Sequence, residues 1–174
     1  DVVGGLRRRP LDGVADEHPR TLYLPRFGHA LSAGLYAASV LPAVLKRRGK
    51  FDVLLGSWAY PDGVAAVALG RALGVPTVVK LHGSDIDVLA TRPSLRRQLS
   101  LALPHASRVV AVSRALAKSV EDLGVPAHKI DLVTNGVDAE LFHPRDRQEA
   151  RVALGRGDDR RKWILYVGRV EADK

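Results

Sequence analysis

From residue 51 onward, short apolar runs alternate with longer stretches of helical character, and that rhythm predicts the fold. Residues 51–55 (FDVLL) are a compact apolar run of the kind that forms a strand buried on both faces. Residues 62–73 (DGVAAVALGRAL) read as a helix, stopped by Gly74 at its C-terminal cap with Pro76 beyond. Residues 77–81 (TVVKL) are the next strand. A strand, a helix and a strand within about 30 residues make a parallel βαβ unit. The pattern repeats as helix 93–103, strand 108–112, helix 113–123 and strand 130–134. Ser113 is placed to cap its helix, since its hydroxyl can satisfy a free N–H of the first turn, and Gly124 stands at the other end. The fold class that follows is α/β, a Rossmann-like, doubly wound parallel sheet.

The flanks are less regular. Residues 1–19 are rich in Gly, Pro and Arg and read as a loop, and 21–24 read as a short strand ended by Pro25. Residues 30–45 carry no charge and have helical composition, closing with Lys46-Arg47-Arg48 and a Gly49 cap. This stretch is too short and too rich in small residues to span a bilayer, and Pro42 should bend it. It either packs on a sheet or lies on an anionic membrane surface with its basic tail at the headgroups; packing is the preferred reading. Residues 149–154 read as another helical piece and 163–167 (WILYV) as an apolar strand running into Gly168-Arg169 and Lys174. Such a strand opens a second domain. The expected division is a first domain over 1–142, lacking its first strand, and a linker with the start of a second over 143–174. The chain begins at Asp1 and contains no methionine, so the reading is of a fragment.

Composition narrows the classes. A hydrophobic share of 46% beside 26% charged residues is that of a globular protein. Zero cysteines exclude disulfides, thiolate metal sites and a cysteine nucleophile, and fit a cytoplasmic protein. A net charge of +8 points to an anionic partner. Nucleic acid is not expected, because the basic residues fall in short scattered clusters such as Arg7-Arg8-Arg9 and Arg160-Arg161-Lys162, with few aromatics between them. Phosphorylated small molecules and an acidic membrane remain, beside the alternative of a solvated arginine-rich surface.

In sheets of this kind ligands sit beyond the carboxyl ends of the strands. The loops there are 56–62, 82–87, Ser113-Arg114, 135–138 and Gly168-Arg169. No dinucleotide fingerprint, P-loop or hydrolase elbow is present, and no paired histidines stand at metal-ligand spacing. His82, Ser84 and Asp85 include the letters of a triad, but near neighbours in one loop do not form a relay. Gly83 allows a sharp turn after the strand. His82 then holds its ring at the mouth of the cleft, able to bond a hydroxyl or a phosphate oxygen; the alternative is a structural histidine. Gly168, Arg169 and Lys174 fit a diphosphate site, with a close backbone, a forked guanidinium and a point-charge ammonium; the alternative is ordinary surface cations.

Four segments in order, LHGSDI (81–86), ASRVVAVSRALAKSV (106–120), LVTNGVDAELFHP (132–144) and ILYVGRVEADK (164–174), resemble family 4 retaining glycosyltransferases of the GT-B fold. The resemblance covers nearly everything from Phe51 onward. It implies two Rossmann-like domains facing across a cleft, the N-terminal one binding the acceptor and the C-terminal one a nucleotide-diphosphate sugar. By resemblance His82 contacts the transferred sugar at the reaction centre, and Gly168, Arg169 and Lys174 hold the donor diphosphate. Gly83 and Ser84 fall on the acceptor side, with Trp58 and Tyr60, which either stack on a sugar or lipid-phosphate acceptor or serve packing. Arg97 stands where members using phosphorylated acceptors carry an arginine; its alternative is a solvated helix face.

The family's front-face mechanism needs no protein nucleophile, and neither cofactor nor metal is expected beyond the nucleotide sugar as co-substrate. The family's first strand, its glycine-rich loop and most of its donor domain are missing, so the parent is expected to be the enzyme and this stretch alone incompetent. The expected activity is transfer of a hexose to a glycan or lipid-linked acceptor in cell-surface polysaccharide or glycolipid synthesis. It would act in the cytoplasm, with peripheral contact at the inner face of the plasma membrane. The rival readings are a non-catalytic α/β module binding a phosphorylated ligand or partner, and a GT-B phosphorylase or epimerase.

Overall fold

A computed structural model describes residues 19–21, 30–159 and 161–168. The expected loop over 1–19 and strand over 21–24 lie almost wholly outside these residues, and Arg169 and Lys174 lie outside them too. The chain divides into two units, the first ending at Asn135 and the second starting at Gly136.

The first unit is the expected parallel α/β sheet. Its strands are β1 (Leu54–Ser57), β2 (Thr77–Lys80), β3 (Arg108–Ala111) and β4 (Ile130–Leu132), in the order β1-β2-β3-β4 and all parallel. Helices α1 (Ser32–Lys46), α2 (Val64–Leu73), α3 (Ser84–Asp87), α4 (Pro93–Ala102) and α5 (Arg114–Glu121) precede and connect them. Each connection steps one strand in the same direction. Right-handed crossovers then place every connecting helix on the same face of the sheet.

Burial follows that geometry. In register across the strands, Gly56, Val79 and Val109 share the covered face and are buried. Leu55, Val78 and Arg108 share the other, where Leu55 is 65% exposed. This corrects the expectation for 51–55: the strand starts later, at Leu54, and is not buried on both faces, because β1 is the edge among the described strands and the described helices cover one side. The core beneath them holds Val79, Leu81, Leu95, Leu99, Leu103, Val109 and Val120, all with essentially no exposure.

Helix caps came through from the sequence. Gly74 takes the left-handed conformation at the end of α2, at φ 70°, as only glycine does without strain. Ser113 Oγ accepts the N–H of Leu116 at 3.1 Å at the start of α5. Ser113→Ala should therefore cost about 1 kcal/mol, read as a lower urea midpoint with an unchanged slope.

Helix α1 packs on α2 and on the turn Ala59–Gly63 rather than on the sheet. Tyr36 of α1 bonds the Asp62 side chain, and burial together with the Asp62 carboxylate pushes its phenol up to about 12. Among the described residues no helix is long and apolar enough to cross a membrane.

Among its described residues the second unit carries one helix, α6 (Arg147–Ala153), which begins earlier than the expected 149–154. The reason is Asp146, whose carboxylate caps it by accepting the N–H groups of Gln148 and Glu149 at 2.8 and 3.0 Å. The N–H of Glu149, then that of Gln148, hold the Asp146 carboxyl below its usual range. Residues 163–167 are not a strand: they have no regular structure and Ile164 is 100% exposed. A strand exists only in a ladder, and this unit's described residues contain no second strand to pair with it.

Candidate functional site

Two loops meet beyond the carboxyl ends of β1 and β2. The register pairs Ser57 with Lys80, so the residues that follow each strand leave the sheet side by side. The Trp58 N–H donates to the Lys80 carbonyl at 2.9 Å, extending the ladder by one bond. There the chain turns abruptly. Trp58 adopts φ 96° and ψ 137°, a backbone conformation that L residues rarely take and that costs on the order of 1–3 kcal/mol. The turn is held from its far side, where Gly63 N–H donates to the Trp58 carbonyl at 2.9 Å. A side chain at Gly63 would not fit, since its Cβ would lie 2.8 Å from that carbonyl oxygen and 2.7 Å from Val79 Cγ1.

The result is an aromatic pair at the surface. The Trp58 indole and the His82 imidazole stack with centroids 5.4 Å apart and planes 20° apart, and both residues are exposed. Ser57 Oγ lies 3.0 Å from His82 Nε2. That contact occupies one ring nitrogen and leaves Nδ1 for a ligand.

Gly83, the residue before α3, takes φ 121° and ψ −76°, so the predicted sharp turn after His82 is present. Gly83→Ala should destabilise by about 1–3 kcal/mol, seen as a lower thermal midpoint, because the added methyl meets only Asp87 Oδ2, at an ordinary 4.0 Å, but forces a strained backbone. Ser84 is exposed as the first residue of α3, a short helix where the sequence reads as a loop.

Asp85 does not face the imidazole. Its carboxylate is fully buried and accepts only backbone N–H groups among its described bonds: Ala59 at 2.8 Å, Gly83 at 2.7 Å and His82 at 3.1 and 3.3 Å. The rejected triad is indeed no relay, and the carboxylate has a different task. Asp85 and Ser57 are the two residues sequence reasoning passed over. Only an aspartate two positions after a glycine turn hinted at the first, since aspartate readily bonds nearby backbone.

The structure separates the remaining candidates. Tyr60 lies in the core at 5% exposure, with its hydroxyl accepting the Ala33 N–H at 3.4 Å, so packing is the role it fills here. Arg97 is exposed on α4. Gly168 is exposed in the second unit, and Arg169 and Lys174 lie outside the described residues. Among the described residues no group of three or more His, Asp or Glu side chains is placed to hold a metal ion.

The chain is similar to known proteins. A family model described as Glycosyltransferase Family 4 matches residues 2–141. N-acetyl-alpha-D-glucosaminyl L-malate synthase of Bacillus anthracis is 27% identical over 127 residues, 72% of this chain and 33% of its own length. D-inositol 3-phosphate glycosyltransferase 1 of Catenulispora acidiphila is 29% identical over 177 residues, 92% of this chain and 40% of its own. The crystal structure of Anabaena Alr3699/HepE in complex with UDP superposes with a TM-score of 0.53 at 24% identity, over 74% of this chain and 35% of that one. The chain thus spans 33% and 40% of the length of these two curated relatives.

Proposed function

We propose, from the premise that this chain belongs to glycosyltransferase family 4, that it is the acceptor-side part of a retaining glycosyltransferase. The reaction moves a hexose from a nucleotide-diphosphate sugar to a glycan or lipid-linked acceptor, in cell-surface polysaccharide or glycolipid synthesis. The observation that carries this reading is the stacked Trp58–His82 pair, presented where two parallel strands end. A sugar ring lies well against an exposed indole face, and His82 Nδ1 is free to bond a hydroxyl of the transferred sugar.

In the proposed step the bond from the anomeric carbon to the diphosphate oxygen breaks, and a bond to the acceptor oxygen forms on the same face. The acceptor's hydroxyl proton passes to the departing phosphate oxygen. Negative charge grows on that leaving group, and Gly168 with Arg169 and Lys174 are assigned to stabilise it without a metal. The Anabaena neighbour's bound UDP is in keeping with such a donor. Ser84, Gly83 and Arg97 are assigned to the acceptor side. Cytoplasmic location with peripheral membrane contact is proposed through the C-terminal end of α1, where Leu45, Lys46 and Arg48 are exposed.

The test is release of nucleoside diphosphate from a panel of nucleotide sugars by the full-length protein, with and without glycan and lipid-linked acceptors. Acceptor-dependent release from one donor is expected. Silence across every donor and acceptor pair would count against the reading.

A further inference from the structure

A buried carboxylate is stable only when its lone pairs are filled, and which groups fill them tells what it holds together. Asp85 is the one acidic residue among the largest fully buried side chains of the described core. Its Oδ2 takes the N–H of Ala59, in the loop after β1, and its Oδ1 takes the N–H of Gly83, in the loop after β2. The N–H of His82 is shared between the two oxygens. One side chain therefore clamps both walls of the candidate site, from the residue after Trp58 to the residue bearing the imidazole. Ser57 Oγ and the Trp58 ring contact the His82 ring itself, but both belong to the first loop. Without the clamp, nothing else among the described bonds ties the backbone of His82 to that loop.

We infer that Asp85 is a positioning residue, whose two carboxylate oxygens hold the His82 ring against Trp58 and Ser57 in reacting geometry. The inference rests on the placement of His82 at the reaction centre proposed above. The chemistry demands a carboxylate. Asparagine has nearly the same shape, but one of its terminal atoms is an NH2 donor, so it can accept from the Ala59 side or the Gly83 side and not from both. One loop is then unhooked while the core volume is kept. Misplacement of a reacting group by about 1 Å costs up to ~100-fold in rate, so loosening one of two tethers should cost about fivefold.

The direct readout is optical. The chain has two tryptophans, and Trp163→Phe leaves Trp58 as the only one. Trp58 emission then reports the stack, and His82→Ala in this background, which removes the partner ring, sets the unstacked signal. In Asp85→Asn the emission should move at least about half of the way to that unstacked signal, because the rings no longer stay stacked. An unchanged emission overturns the inference. In the full-length protein Asp85→Asn should lower kcat per folded molecule about fivefold, with KM for donor and acceptor within about twofold. A residue that merely stabilises the fold would lower the thermal midpoint and leave kcat per folded molecule alone, and that outcome also overturns it.

If Asp85→Asn does not fold, the unaltered chain still decides. The amide protons of Ala59, His82 and Gly83 should resonate downfield and exchange slowly together, as donors to one buried carboxylate; ordinary shifts with rapid exchange overturn the clamp. The two readings fail separately. Trp58 emission that moves in Asp85→Asn, beside a full-length wild type that transfers no sugar, retires the functional reading and leaves the clamp standing, whereas unmoved emission beside an active wild type does the reverse.

Discussion

Replacing His82 by alanine in the full-length protein should lower turnover at least about tenfold, equivalent to ~1.4 kcal/mol of activation barrier. The thermal midpoint should stay where it is. His82 is exposed, and its ring touches only Trp58 and the Ser57 hydroxyl among the described contacts, so its removal leaves neither a cavity nor a buried orphan. If the ring bonds the sugar only as charge develops, kcat and kcat/KM should fall together. Normal turnover in a folded variant would place the reaction centre elsewhere. Loss of folding would mean that His82 is structural, the alternative left open in the sequence.

Leu99→Ala should have the opposite signature. Leu99 lies on α4 with no exposure, in one core with Leu95, Leu103 and Val79. Truncation of such a leucine removes buried apolar surface and leaves a cavity that the surrounding helices fill only in part. The expected loss is about 3 kcal/mol of unfolding free energy, within the usual ~2–5 kcal/mol for this change. Against a total of about 5–15 kcal/mol for a domain, that is a large fraction. Urea denaturation measures it, and the activity of the remaining folded molecules should be unaltered. A loss below about 1 kcal/mol would show that α4 does not seal the core as described. Together the two variants separate what holds the fold from what performs the chemistry.

How much was legible beforehand differs by kind of feature. The βαβ rhythm, the parallel sheet, the Gly74 stop and the Ser113 cap all follow from neighbours within a turn or two, and each is present. The start of β1 and the exposure of Leu55 were missed, because the sheet edge and the covered face depend on which way successive connections step. The pair Trp58 and Tyr60 shows the same limit. Both follow one strand and both are aromatic, yet Trp58 is exposed and Tyr60 is buried. The difference is made by the strained turn at Trp58 and the docking of α1 over Tyr60, neither of which leaves a mark in composition. Residues 163–167 have strand composition and no ladder, so propensity had nothing to pair with.

The sequence by itself determined the order of elements, the α/β class, the family pattern and the glycine that lets His82 turn out of the sheet, since these depend on local spacing and local backbone freedom. Only the tertiary structure decided that Ser57 and His82, 25 positions apart, would bond. It also decided that Asp85 would bury its charge to bind two loops rather than activate a ring. The physical reason is that a hydrogen bond between loops is set by strand register, and register is a property of the packed sheet and not of either loop alone.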